Sequence, residues 1–492
     1  MKRNISHITP HTSLIIAVLA IFAMVICMWI GMRQSIWFDE AYSILVARHT
    51  PAEIVALAAA DTHPPGYYLL LHGWGAIAGW SEFALRSLSV AAYGASLVVA
   101  GLLVRRMFGN RAAIATAVLL LCSPLLMRYG FEIRMYAIAS LIGILATYVM
   151  VVALEARSRA KLWLWACYSL LVAVGVYMLY YLVLLWAAHL VWLVYLNRSK
   201  LSHIWRQPWL WAYLGSLVLF LPWLPAFLGQ VNNGALASIG KPMNLEQLLG
   251  VVSFNTLYKP LWQLNVLETI LMLFVLVAGG LAIRRAYQLT TQKNYLVLLM
   301  LYSAVPIIVL MVVSLFKPMY VERYLSHVAI GLVLLLACSL MIVQAKRQSR
   351  WSQATPLLFV LIGAIGCLQL MSVGNFNFQR MQHPAVDEVA AAIGDCSQTT
   401  IVAADPYVAT ELSYYIPTDC KQKFYNDTAQ LGGGYAPFSM SLDRLDSLYV
   451  LGDTQTIRYV YYGEPKLTID AMYQQTERFS AGDMTVETYG KN

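Results

Sequence analysis

The sequence predicts an all-α polytopic membrane protein of about 11 transmembrane helices, closed by a small extracytoplasmic α/β domain. Three observations predict it. Hydrophobic residues make up 59% of the 492 and charged residues only 12%, about half the charged share of an ordinary soluble chain, and mean hydropathy is +0.61. The apolar residues come in repeated runs of roughly 20, the length that crosses a bilayer as a helix. The basic residues between those runs fall alternately on one side, and from Val373 onward the composition turns to ordinary polarity.

The spans read as 13–33, 83–104, 111–127, 134–154, 162–178, 180–196, 208–228, 263–283, 295–315, 326–344 and 354–372. The first is too long for a signal peptide and lacks a small-x-small cleavage site, so it reads as a retained helix. One set of connections holds Lys2 and Arg3, then Arg105, Arg106 and Arg111, then Arg157, Arg159 and Lys161. The same set continues with Arg198, Lys200 and Arg206, then Arg284, Arg285 and Lys293, then Lys346, Arg347 and Arg350. This positive-inside pattern puts the N-terminus in the cytoplasm, and an odd number of spans puts the C-terminus outside. The net charge of +9 is then a topology signal, and nucleic acid is excluded as a partner.

The expected organisation is a transmembrane domain over 1–372, whose first outer loop (34–82) carries the site, followed by an extracytoplasmic domain over 373–492. In that loop, Ala41, Ile44, Leu45 and Ala47 suit a short amphipathic helix lying on the membrane. Pro51 starts a second helix, with Glu53 near its positive end. His63-Pro64-Pro65-Gly66 is a turn that no helix can cross. The run YYLLLHGWGAIAGW, interrupted by Gly73, Gly75 and Gly79, reads as a half-buried helix. In the last 120 or so residues, HPAVDEVAAAI and PYVATELSYYI read as helices, and TTIVAAD, SLYVLG, IRYVYYG and TVETYG as strands. LGGGY lacks the spacing of a phosphate loop and reads as a plain loop. Five of the seven cysteines fall within spans; Cys396 and Cys420 lie outside, where an oxidising compartment lets them pair.

The polar chemistry concentrates at one face. Asp39 and Glu40 follow Trp37-Phe38, held against an aromatic patch at the bilayer edge. Adjacent helical residues face different ways, so at most one of the two enters a cavity, where a carboxylate takes a proton from an acceptor hydroxyl. Asp61, His63 and Tyr67 share the same loop and suit a hydroxyl, a phosphate or a divalent metal. One histidine with scattered acids is no specific metal signature, so Mg or Mn stays open. Glu132 and Arg134 share a short outer turn with Arg128; Lys317, Glu322, Arg323 and Tyr324 share another. Basic residues on the side that the positive-inside rule depletes call for an anionic partner, and an arginine fork binds phosphate bidentately. Arg134 and Arg323 rank first for that role, Lys317 below them, and Arg128 and Arg86 lower still. Within helical geometry Glu132 and Arg134 are placed to brace one another.

The ordered set WFDEAYS, DTHPPGYYLLLHGW, SEFALRSLSV, FEIRMYA and ERYLSHV resembles the bacterial dolichyl-phosphate-mannose-protein mannosyltransferase-like glycosyltransferases, GT-C fold enzymes of glycosyltransferase family 39. The resemblance covers the first third of the chain and the ERY segment. It implies a polyprenyl-phosphate sugar donor and an extracytoplasmic glycan, lipid or protein acceptor. It also implies Asp39 as the catalytic carboxylate with Glu40 beside it, His63 lining the same cavity, Arg134 and Arg323 near the donor phosphate, and inversion by direct displacement. The rival class is a transporter or flippase of lipid-linked or small polar substrates. That class places acids mid-span in repeated halves, whereas these acids cluster at one face and no two-half repeat is evident.

Overall fold

The structure is a computed structural model that describes residues 10–156, 159–232, 242–347, 349–374, 382–396, 399–425, 443–445 and 454–491. The chain forms two compact units that do not follow its linear order. Met1–Trp29 cluster with Arg86–Ser372, and Ile30–Leu85 cluster with Val373–Asn492. Lys2, Arg3, Arg157, the loop at 431–435 and the expected strand at 447–452 lie outside the described residues.

The first unit is helical because lipid offers no partner for backbone N–H and C=O groups, so each span must satisfy its own. Among the described residues nine helices are long and apolar enough to cross a bilayer. They are His11–Gly31, Glu82–Phe108, Tyr136–Glu155, Arg159–Met178, Pro208–Asn232, Val266–Leu289, Lys293–Ser314, Glu322–Lys346 and Arg350–Val373. The protein is a multi-pass membrane protein. Two expected spans differ in form. The run at 111–127 is a broken pair, Asn110–Leu121 and Pro124–Phe131, bent by 65°. Ser123 precedes a proline, which disfavours helical backbone, and it is extended at φ −97 and ψ 104. Pro124 then opens the second helix at a position where its missing N–H costs nothing.

The expected span at 180–196 is the helix Leu182–Leu196, 15 residues or about 22 Å at 1.5 Å per residue, short of a full crossing. Its buried His189 is hydrogen-bonded on both ring nitrogens, Nε2 with Thr147 Oγ1 and Nδ1 with the Tyr168 hydroxyl, each at 3.0 Å. Such bonds between helices are the polar glue of a membrane bundle. Small residues also set how closely helices approach. A Cβ on Gly366 of the Arg350–Val373 helix would overlap the carbonyl of Thr256, and one on Gly363 that of Cys122.

The second unit joins the first outer loop to the C-terminal segment. Its six strands are β1 (Thr399–Ala403), β2 (Lys421–Tyr425), β3 (Asp443–Leu445), β4 (Thr456–Tyr462), β5 (Tyr473–Ala481) and β6 (Met484–Lys491). They lie in the order β3-β2-β1-β4-β6-β5. The β3-β2-β1-β4 portion is parallel, and β6 runs antiparallel to β4 and β5. The helices Val386–Ile393 and Pro406–Tyr415 bury Val389, Val408 and Leu412 against Ile401, Val460 and Val486 on one face. Val402, Ile457, Tyr459 and Tyr461 form a second cluster on the other. The expected strands at TTIVAAD, IRYVYYG and TVETYG are β1, β4 and β6. The sequence reading missed β2, β3 and β5. β5 is a sheet-edge strand exposed along seven consecutive positions, so it shows no apolar alternation to read.

The outer loop forms three helices: Phe38–Ala47, Pro51–Ala60 and Gly66–Ala78. The second is closed by the capping box that Thr50 and Glu53 supply, the Thr50 amide donating to Glu53 Oε2 at 2.9 Å. The first does not lie free on a membrane surface, as its amphipathic pattern suggested. It packs between the Gly66–Ala78 helix and the Pro406–Tyr415 helix, and Ala41, Ile44 and Ala47 are fully buried.

Cys396 and Cys420 form a disulfide that brackets β1 and the Pro406–Tyr415 helix, 24 residues apart in sequence. Alkylation of the non-reduced protein should leave both thiols unmodified in a peptide map. Replacing either with serine should lower the stability of this unit by about 3 kcal/mol, read as a drop in its unfolding midpoint.

Candidate functional site

The second unit holds the acidic cluster. Asp39 is the second residue of the Phe38–Ala47 helix and is half-buried. Glu40 is buried, and its Oε2 accepts from the Trp37 amide at 3.4 Å, a long bond of the capping-box kind. The two neighbouring carboxylates are therefore unlike, one half open and one turned back on its own helix terminus. Asp61 ends the Pro51–Ala60 helix and is 4% exposed; His63 follows at 8%. Asp61 Oδ2 lies 3.4 Å from His63 Nδ1 and accepts from the Tyr68 hydroxyl at 3.3 Å. Thr62 Oγ1 lies 2.8 Å from the same histidine nitrogen. Two prolines after His63 stop the chain from helical continuation, which keeps this turn tight and its polar groups together. Tyr67 is fully buried and sits edge-on to Tyr68, whose ring also meets Tyr42 of the Asp39 helix at 6.1 Å. His72 Nδ1 meets the Ala47 carbonyl at 2.8 Å. These contacts fix the Asp39 helix and the Asp61–His63 turn on one framework.

Chemically, this cluster offers a carboxylate for proton transfer and a buried carboxylate–imidazole–phenol set for holding a hydroxyl. Among the described residues no three His, Cys, Asp or Glu side chains gather as a metal-holding group. The Asp61–His63 pair supplies two such ligands, too few to name a metal.

The first unit holds the basic and aromatic cluster. The Pro124–Phe131 helix and the turn that follows it bury Glu132 completely and leave Arg128 and Arg134 at 9% and 2% exposure. Glu132 pairs with Arg128, Nη2 to Oε1 3.5 Å, one helical turn away. Arg128 and the fully buried Arg86 both lie over the Phe131 ring, at 4.9 and 5.8 Å. Ser89 Oγ donates to the Glu132 carbonyl at 2.6 Å and pins the turn.

The second outer turn is the 3-10 segment Glu322–Leu325, with Arg323 and Tyr324 buried and Glu322 half-buried. The structure brings the two turns together through Tyr136 and Tyr324, whose ring centroids are 6.1 Å apart, and Tyr129 lies 5.2 Å from Tyr136. Tyr129, Tyr136, Ser140 and Ser326 line a cavity there. Lys317 is half-buried in the segment leading to this turn.

Sequence reasoning missed one member of the second cluster. Tyr258 is buried in a left-handed backbone conformation at φ 51, which non-glycine residues rarely adopt. Burial raises its phenol to about 12, with Arg128 opposing the shift and Glu132 and Glu322 adding to it. Its segment, NTLYKP, carries no motif that distinguishes it from any polar loop. The enclosure of Arg86 and Arg128 is a result of packing that the sequence does not display.

Residues 62–225 match the family described as dolichyl-phosphate-mannose-protein mannosyltransferase. No curated protein matches the chain by sequence. The structure is similar to that of ArnT from Cupriavidus metallidurans bound to undecaprenyl phosphate, with a TM-score of 0.64 over 98% of each chain at 13% identity. It is also similar to the same protein in its apo state, with a TM-score of 0.61 at 13% identity over 96% of this chain and 97% of that one. At that identity the likeness is one of fold, and the fold is GT-C. The family match and the shared fold together indicate a membrane glycosyltransferase.

Arg128→Ala should destabilise the first unit by about 3 kcal/mol, because it removes a paired cation from beside a carboxylate that has no exposure to water. The thermal midpoint of the detergent-solubilised protein reads this. An unchanged midpoint would mean that the Arg128–Glu132 pair is idle.

Proposed function

We propose that the protein moves a sugar from a polyprenyl-phosphate donor to an extracytoplasmic acceptor, a glycolipid, a cell-envelope glycan or a protein, with inversion at the anomeric carbon. The acceptor oxygen attacks the anomeric carbon as the bond to the phosphate oxygen breaks, and polyprenyl phosphate leaves with the electron pair. Asp39 takes the acceptor proton as general base.

Asp61, His63 and Tyr67 orient the sugar or acceptor hydroxyls. Arg134 and Arg323, with Glu132 and Glu322 beside them, hold the donor phosphate and neutralise the charge that grows on it as it leaves. Lys317 adds a point charge near the second turn, and Tyr324 an aromatic face for a sugar ring. Glu40, bent back to its own helix terminus, supports Asp39 rather than sharing its role. The N-terminus lies in the cytoplasm and the C-terminal segment outside, in a bacterial inner membrane, following the distribution of the basic residues.

The observation that carries the donor assignment is the fold shared with a protein solved bound to undecaprenyl phosphate. The arginines buried in the first unit, Arg128, Arg134 and Arg323 at the two turns and Arg86 on the Glu82–Phe108 helix, supply charge of the sign such a carrier needs.

Asp39→Asn should reduce transfer by about 10²- to 10⁴-fold while expression and membrane insertion stay at the level of the unaltered protein. Mass spectrometry of membrane glycolipids, with and without the gene and with the variant, reads the product and identifies the sugar. A variant that still makes the product would overturn Asp39 as the base.

A further inference from the structure

The helix that carries Asp39 supplies one cap of its own, the long bond from the Trp37 amide to Glu40 Oε2 at 3.4 Å. Its N-cap residue is Trp37, whose side chain makes no capping bond. The first amides of a helix are orphans that need an acceptor. The Phe38 amide finds one far along the chain: it donates to Glu411 Oε1 at 2.9 Å. Glu411 is 3% exposed, and its other oxygen accepts from the Tyr462 hydroxyl of β4 at 2.8 Å, so the carboxylate is anchored to the sheet while it holds the helix.

Neighbouring contacts act in the same sense. The Ile36 amide donates to the Tyr415 hydroxyl at 2.7 Å, and that hydroxyl donates to Glu82 Oε1 at 2.6 Å. Burial and the Glu82 carboxylate keep the Tyr415 phenol protonated, well above its ordinary value. Ser35 Oγ donates to the Pro384 carbonyl at 2.9 Å, and the Phe38 ring lies 4.4 Å from that of Tyr407. Residues 35, 36 and 38 are thus each held by the C-terminal segment, immediately before Asp39.

We propose that Glu411 is a positioning residue for Asp39: by capping the Phe38 amide, it sets the start of the helix and with it the direction of the carboxylate one residue later. The role of the C-terminal segment is then to hold the base in line. The inference rests on the reading of Asp39 as the base. A carboxylate also suits this cap electrically, since the N-terminal end of a helix carries partial positive charge. Misplacement of a catalytic group by about 1 Å costs as much as 10²-fold in rate, so a lost cap would be felt in turnover before it is felt in donor binding.

The test uses the full chain in lipid nanodiscs and in cells. For Glu411→Ala, hydrogen exchange of peptides spanning residues 34–46 should quicken by about tenfold. Product glycolipid should fall by at least about tenfold at equal protein level, while affinity for undecaprenyl phosphate stays within about twofold. Glu411→Gln, whose amide oxygen still accepts from Phe38, should return exchange to its original rate and recover most of the lost product. Unchanged exchange in Glu411→Ala overturns the cap. Full product from Glu411→Ala, with none from Asp39→Asn, overturns the positioning role alone. Full product from both variants, with quickened exchange, overturns Asp39 as the base and the positioning role with it, and leaves the cap standing.

Discussion

The bond from the Phe38 amide to Glu411 joins residues 373 positions apart, and the second unit depends on contacts of this range. A helix of ten residues is marginal alone, because nucleation fixes several residues for one hydrogen bond and the terminal amides stay unsatisfied. The Phe38–Ala47 helix escapes that limit in two ways. Its side chains are buried nearly all round, between the Gly66–Ala78 helix and the Pro406–Tyr415 helix, and its first amide meets a fixed carboxylate. The outer loop is accordingly an integral part of a unit whose sheet lies at the other end of the sequence. The Cys396–Cys420 disulfide brackets the very helix that supplies Tyr407, Glu411 and Tyr415.

What the sequence revealed follows from the range of the interactions involved. Spans were legible because lipid enforces a local rule, one apolar run per crossing. The Pro51–Ala60 helix was legible because Thr50, Pro51 and Glu53 are its own start signal. The break at Ser123-Pro124 and the shortness of Leu182–Leu196 were written in the sequence too, but apolar composition there outweighed punctuation. β2 and β5 were hidden because KQKFY and YQQTERFSA carry polar residues along nearly their whole length; neighbours in the sheet, not periodicity, make them strands. The clustering of Ile30–Leu85 with Val373–Asn492 has no local signature at all.

The candidate site divides in the same way. Asp39, Asp61 and His63 were visible as polar residues concentrated in one loop, and the turn chemistry of His63-Pro64-Pro65-Gly66 showed why they stay together. The split between Asp39 and Glu40 was not visible, since it depends on which carboxylate turns back to the Trp37 amide. Nor were the surroundings of the arginines. Arg86 ends fully buried, Arg128 pairs with Glu132, and both guanidinium groups lie over the Phe131 ring, and a ring's neighbours are a property of helix packing. Tyr258 joins them through a backbone conformation that no residue type near it demands.

The two clusters also differ in the charge they carry, and dielectric explains why. A guanidinium stays ionised at any accessible pH and is weakly hydrated, so it can be enclosed in a helical unit and still present its charge to an anion. Arg86, Arg128, Arg134 and Arg323 are all at or below 9% exposure. A carboxylate enclosed alone would take up a proton and lose its use as a base; the one fully enclosed beside those arginines, Glu132, is paired. Asp39, the proposed base, belongs instead to the unit built like a water-soluble domain, and it keeps partial contact with solvent. A glycosyl transfer from a lipid phosphate needs both properties at once: permanent positive charge for the leaving group, and a carboxylate poised between water and protein for the proton. On the proposed mechanism the first falls to arginines among apolar helices and the second to a capped helix beside a sheet, and each group then works where its charge state is secure.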